Sequence, residues 1–223
     1  YETFNSRENL GIKIMKPLLE IRNLTKFYSK NDKLPAVCDI SLVINKNSSL
    51  ALIGESGCGK TTLAKIIMGL EKPTKGEVVF NGSNIAKMKE SQLRPLRRDV
   101  QMIFQYSKSV FNPSYTVGDS IREVLLAHEK LSHEECQRRL DEIFEVVKLP
   151  NSFQKKYVSQ LSGGQCQRAN IARSLILKPK LLICDEPVAS LDYAIRHRVL
   201  ELLQEIRQTT DVTYLLITHD LSN

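Results

Sequence analysis

Between Pro17 and Ile53 apolar and polar residues alternate in short runs. "PLLEIRNL" and "VCDISLVIN" follow the two-residue period of half-buried strands, the second placing Ile40, Leu42 and Ile44 on one face. "SLALIG" is a more continuous apolar run that enters a Gly-rich turn, and from Gly59 to Leu70 the spacing predicts a helix. "GEVVFNG" reads as a strand closed by Asn81-Gly82, a dipeptide suited to tight hairpin turns, and "DVQMIF" as another strand.

From residue 106 to 178 the pattern changes character. Turn residues in "FNPSYTVGD" lead into "SIREVLLAH", and "SHEECQRRLDEIFEVVKL" sets Leu140, Ile143, Phe144 and Val147 in a helical stripe whose simplest role is core packing. Ser132 with Glu135 forms a capping-box start for that helix. "QLSGGQCQRANIARSL" then sets a serine and two glycines before a long amphipathic helix. Beyond it come a buried strand "PKLLICDEP", a helix over about Tyr193 to Arg207 and a last strand "VTYLLITHD". Strands alternating with helices predict an α/β fold with a parallel core, and the helical stretch at 106–178 reads as an inserted subdomain.

Composition narrows the class without deciding it. The 223 residues are 42% hydrophobic and 26% charged, as in soluble globular chains, and suffice for one large domain. No apolar run approaches the roughly 18 residues that span a bilayer, and no signal-peptide pattern opens the chain, so a cytoplasmic protein is expected. The first residue is not Met; Met15 reads as a native start and residues 1–14 as a leader. Five cysteines (Cys38, Cys58, Cys136, Cys166, Cys184) without CxxC spacing point to free thiols rather than zinc or disulfides. The formal charge of +7 suits nucleic acid, an anionic membrane surface or a nucleotide equally. Arg94, Arg97 and Arg98 in "RPLRRD" fit a solvated helix face.

The chemistry concentrates in three places. "GESGCGKT", Gly54 to Thr61, fits GxxxxGK[ST] and lies between a strand and a helix, where its glycines can turn successive N–H groups toward an anion. Lys60 would reach the β- and γ-phosphates, and the Thr61 hydroxyl would ligate Mg²⁺. Cys58 would contribute only its backbone. "LLICDE" ends an apolar strand in two carboxylates: Asp185 for the Mg²⁺ shell and Glu186 to orient or deprotonate a water. His219 falls at the carboxyl end of the last strand, where ligands gather in open α/β sheets. His128 and His133, five apart, share no helical face and are set aside as metal ligands.

Together these residues resemble the nucleotide-binding domain of ATP-binding cassette (ABC) transporters over about Leu18 to Ser222. "GESGCGKT" corresponds to the Walker A loop, "LLICDE" to the Walker B strand and "LSGGQ" to the family signature. Gln105 of "IFQ" is similar to the Q-loop, Asp192 of "ASLD" to the D-loop, and Thr218-His219-Asp220 to the switch histidine. Tyr28 in "LTKFYSK" matches the aromatic that stacks on adenine, with Phe27 as the alternative. The resemblance implies a P-loop NTPase core, an N-terminal antiparallel β subdomain and the inserted helical subdomain at about 106–178, within a domain over 15–223. It implies ATP and Mg²⁺ as cofactors, with Glu186, His219 and Gln105 catalytic and Thr61, Gln105 and Asp185 at the metal. The nucleotide would lie on Tyr28, Gly54, Glu55, Ser56, Gly57, Cys58, Gly59, Lys60, Thr61 and Thr62. Ser162, Gly163, Gly164 and Gln165 would serve the partner's nucleotide in trans, beside Asp192. Two such domains pair head to tail around two ATP molecules, which accounts for a second phosphate-binding helix start.

A narrower resemblance, through "RRDVQMIFQYSKSVFNPSYTVGDSI" and "KPKLLICDEPVASLD", points to the peptide and nickel uptake branch. It implies a second ATPase subunit in a homo- or heterodimer, two membrane permeases meeting the region after Gln105, and a solute-binding protein. It also implies a peripheral position on the cytoplasmic face of the bacterial inner membrane, and no nucleic acid. Non-transport ABC ATPases acting on nucleic acid or ribosomes form the alternative; they insert long coiled coils or join two cassettes, and P-loop kinases lack "LSGGQ". Asn47-Ser48-Ser49 replaces a common Gly-Glu turn, which Asn and Ser should preserve. Relatives continue beyond the switch histidine, so further strands and a C-terminal segment are expected after Asn223.

Overall fold

The computed structural model describes residues 16–29 and 31–219. The chain starts with β1 (Leu19–Lys26) and β2 (Val37–Ile44), an antiparallel pair with Leu19 opposite Ile44. It then enters β3 (Ser49–Ile53) and α1 (Lys60–Ile67), which stops at Gly69, held at φ +66°. β4 (Lys75–Phe80) returns beside β1, and Asn81 and Gly82 (φ +47° and +85°) make the tight turn into β5 (Ser83–Asn84). Two consecutive left-handed residues match the twist of a two-residue hairpin. After α2 (Glu90–Asp99) and β6 (Val100–Ile103) the chain is helical: α3 (Val117–His128), α4 (His133–Val146) and α5 (Gly163–Leu175), with short 3-10 turns between them. β7 (Leu181–Asp185), α6 (Tyr193–Thr209) and β8 (Thr213–Thr218) complete it.

These strands form two four-stranded sheets. One is antiparallel in the order β2-β1-β4-β5; the other is parallel in the order β3-β8-β7-β6. The centre of the parallel sheet is covered on both faces, which explains why β7 reads as a continuous apolar run rather than an alternating one. Leu181 and Ile183 face α1, α2 and the antiparallel sheet, packing with Leu63, Ile67 and Val78. Leu182 and Cys184 face the other way, onto Ala169, Ala172, Val199 and Leu202 of α5 and α6. The helices of 117–175 share that second core, and the stripe residues Leu140, Ile143, Phe144 and Val147 are all buried in it.

Local chemistry fixes the connections. Asn47 takes a left-handed φ of +57°, and its N–H and amide bond Thr213 Oγ1 and Asp211, so the turn survives without glycine. Ser132 caps α4 by accepting from the Glu135 N–H at 3.2 Å, but only half of the capping box forms, because the Glu135 carboxylate pairs with Arg138 instead. The arginines of α2 are more engaged than a solvated face requires. Arg97 pairs with Glu90 and donates to Gly69 O, Arg98 pairs with Glu129, and Arg94 donates to Ala127 O.

Candidate functional site

β3 delivers the chain to a loop whose shape depends on two glycines. Gly57 and Gly59 have φ of +82° and +96°, and Gly59 N-caps α1. A Cβ on Gly59 would stand 2.0 Å from the Ala36 carbonyl oxygen, so only glycine lets the loop pass β2. No side chain caps α1, and its first-turn N–H groups and positive dipole end remain available to an anion. The loop curls around Lys60, which is 8% exposed and donates from Nζ to the carbonyls of Gly54 and Glu55, both at 2.7 Å. Cys58 adds a thiol 3.6 Å from the same ammonium, a side-chain contact beyond the backbone role that the sequence suggests for it. Tyr28, 56% exposed, shares a hydrogen bond of 3.1 Å with the Thr62 hydroxyl in the first turn of α1; Phe27 is partly buried.

The acidic pair lies two strands away, across β8. All five residues of β7 are buried. Asp185, 6% exposed, accepts from Thr61 Oγ1 at 2.8 Å, and burial, reinforced by the Glu186 carboxylate, pushes its pKa up against the pull of Thr61 and Lys60. Glu186 occupies a left-handed turn, φ +47°, with its N–H bonded to Ile217 O of β8. That turn aims the carboxylate at two partners. Gln105 Nε2 donates to Oε2 at 3.0 Å, and His219 Nδ1 lies 2.7 Å from Oε1. A cavity of about 120 Å³ opens beside Glu186 and His219, lined also by Val188, Arg196 and Thr218. Asp220 lies outside the described residues. A larger apolar groove of about 580 Å³ near Ile143, Leu175 and Ile206 contains none of the motif residues.

Ser162 begins α5 with a complete reciprocal cap: its Oγ accepts from the Gln165 N–H at 3.4 Å, and its own N–H donates to Gln165 Oε1 at 3.0 Å. Among the described residues, no hydrogen bond joins 162–165 to the loop at 54–62. Instead α5 packs on the turn that follows β7. Gly163 approaches Leu191, and a Cβ on Gly164 would fall 2.4 Å from Ile195 Cγ2. Asp192 N-caps α6 through its carbonyl, bonded by Ile195 and Arg196 N–H groups, and its side chain makes no cap bond.

Further along α5, three polar residues that motif reading passes over reach the strand ends. Gln167 donates to Pro187 O at 2.6 Å, Asn170 to Phe104 O at 3.5 Å and Ser174 to Met102 O at 3.1 Å. All three are buried. Their sequence signal is polar residues at helical spacing inside an otherwise apolar face. α5 is thereby tied to the backbone beside both Gln105 and Glu186.

The donor set fits a magnesium nucleotide. Thr61, Asp185 and Gln105 supply hard oxygens, and no group of three His, Cys, Asp or Glu among the described residues could hold a metal unaided. Mg²⁺ characteristically takes one or two protein oxygens, completing its shell with phosphates and water. Lys60, buried within its loop next to that oxygen set, fits the accompanying phosphates.

A phosphate loop at the end of one parallel strand, an acidic pair ending the next strand but one, and a separate Gly-containing helix start define a P-loop nucleotide-binding cassette. The ABC transporter family model matches residues 37–189, and the chain belongs to that family. It is 40% identical over 225 residues to the oligopeptide transport ATP-binding protein OppF of Salmonella typhimurium, covering 96% of this chain and 67% of that protein. It is 39% identical over 210 residues to the nickel import ATP-binding protein NikE of Shigella boydii, covering 92% and 78%. A solved ATP-binding cassette, dimeric in a post-hydrolysis state with ADP and Pi, superposes with a TM-score of 0.81 at 29% identity, over 92% of this chain and 89% of that one. The chain spans about two thirds of the length of the peptide-transport relatives it matches.

Proposed function

We propose that this chain is the ATP-hydrolysing subunit of an ABC importer, pairing head to tail with a second cassette and driving uptake of peptides or nickel through membrane permeases. The observation that carries this reading is the Glu186 carboxylate, shared between Gln105 and His219 and adjacent to the Asp185–Thr61 pair of the phosphate loop. Lys60 binds the β- and γ-phosphates and the first turn of α1 cradles them. Thr61, Asp185 and Gln105 would hold Mg²⁺, which would supply charge neutralisation on the phosphate oxygens. Glu186 orients a water in line with the γ-phosphorus and takes its proton as the new P–O bond forms and the bond to the β–γ bridging oxygen breaks. Gln105 and His219 hold Glu186 and the water at that position.

Ser162 to Gln165 serve the nucleotide on the partner's phosphate loop, consistent with their separation from residues 54–62. The names of the relatives, an oligopeptide transport and a nickel import ATP-binding protein, support a transport-coupled ATPase; two permeases and a solute-binding protein complete the importer in this reading. Among the described residues no helix is long and apolar enough to cross a membrane, in keeping with a peripheral subunit docked on permeases at the cytoplasmic face.

Glu186→Gln tests the reading. Turnover is expected to fall about 10²–10⁴-fold, the range for loss of a positioned general base, while ATP affinity is kept and MgATP promotes dimers in size-exclusion chromatography. A variant that stays monomeric with full turnover overturns the assignment.

A further inference from the structure

The last residue of β1, Lys26, stands directly behind Tyr28. Its Nζ lies 5.1 Å from the centroid of the tyrosine ring, within the range of a cation–π contact. The ammonium is fixed there, not loosely solvated. It pairs with Glu71 Oε2 at 3.1 Å and donates to Lys72 O at 2.8 Å, and its side chain is only 12% exposed. Glu71 follows the end of α1, its N–H bonded to Lys65 O. The first turn of the same helix supplies Thr62, which bonds the Tyr28 hydroxyl.

The ring is therefore anchored at two points, and both refer back to α1. Thr62 holds the hydroxyl at the helix start, where the phosphate loop lies. Lys26 backs one face of the ring from the residues that follow the helix end. With that face occupied, a base can stack only on the other one.

We infer that Lys26 is a positioning residue for nucleotide recognition, holding Tyr28 so that its free face stands at a fixed distance from the phosphate loop. This rests on the reading of Tyr28 as the side chain that stacks on adenine. Lys26 does not touch the nucleotide; it acts through the ring. Its removal should weaken the base end of the ligand and leave the phosphate end alone, a split that general loosening of β1 would not produce.

Calorimetric titration of the chain with MgATP and, separately, with magnesium tripolyphosphate reads that split. Lys26→Met is expected to weaken ATP about three- to fivefold, the lower end for a cation–π contact, as suits a ring that is itself solvent-exposed, with tripolyphosphate unchanged and Lys26→Arg restoring ATP. Tyr28→Ala should weaken ATP about tenfold, the order of one base–aromatic stack. Parallel weakening of both ligands by Lys26→Met, or failure of Lys26→Arg to restore ATP, overturns the inference. Loss of ATP affinity in Tyr28→Ala with none in Lys26→Met overturns it alone, leaving the stacking reading intact. No loss in Tyr28→Ala overturns both.

Discussion

Two glycines of the phosphate loop look alike in the sequence yet answer to different constraints. Gly57 has φ +82° with nothing within 4 Å of a would-be Cβ, whereas Gly59 combines φ +96° with the Ala36 oxygen at 2.0 Å. Gly57→Ala should cost only the strain of a left-handed residue, about 1–2 kcal/mol, and Gly59→Ala clearly more, because backbone must also move. Urea melts of the two variants measure the difference; equal losses would show that β2 yields freely. The motif itself was legible because GxxxxGK[ST] is a local backbone pattern. Nothing in it says which glycine faces other backbone, since Ala36 lies in the loop just before β2, more than twenty residues earlier. Of the cysteines, Cys136, Cys166 and Cys184 are buried, and burial pushes the Cys184 thiol up to about 12.

At the scale of elements, α5 does more than present Ser162. Its buried Gln167 holds the carbonyl of Pro187, next to Glu186 in its left-handed turn. Gln167→Leu keeps similar bulk but leaves that carbonyl without its donor. The expected loss is about 1–3 kcal/mol of stability, together with a drop in turnover larger than any change in ATP affinity. Thermal melting and steady-state kinetics well below the melting range check this; unchanged turnover would show that the tie is only structural. Helix and strand assignments were largely readable, because periodicity and caps such as Ser132 are local. The reciprocal half of that cap was not, because Arg138 competes for Glu135 within the same helix turn. The link from Gln167 to Pro187 escaped the sequence because it joins a helix to a strand end 20 residues away.

In the whole molecule two Gly-containing helix starts, α1 and α5, share no hydrogen bond among the described residues. If the second serves a partner's nucleotide, Ser162→Arg should abolish turnover while the isolated chain binds ATP as before. Turnover assays alongside equilibrium binding test this, and loss of affinity in the monomer would contradict a role in trans. The sequence by itself determined the class of site: a phosphate loop after a strand, a carboxylate pair ending another, and a capped signature helix. Each is set by neighbours a few residues apart, through turn conformation, capping and side-chain period. Tertiary structure alone decided what meets what. The parallel order β3-β8-β7-β6 brings Thr61 to Asp185 across 124 residues, Gln105 to Glu186 across 81, and His219 to Glu186 across 33. Strand order and crossover are fixed by burial of both sheet faces, a property of the assembled core that no single stretch of chain contains.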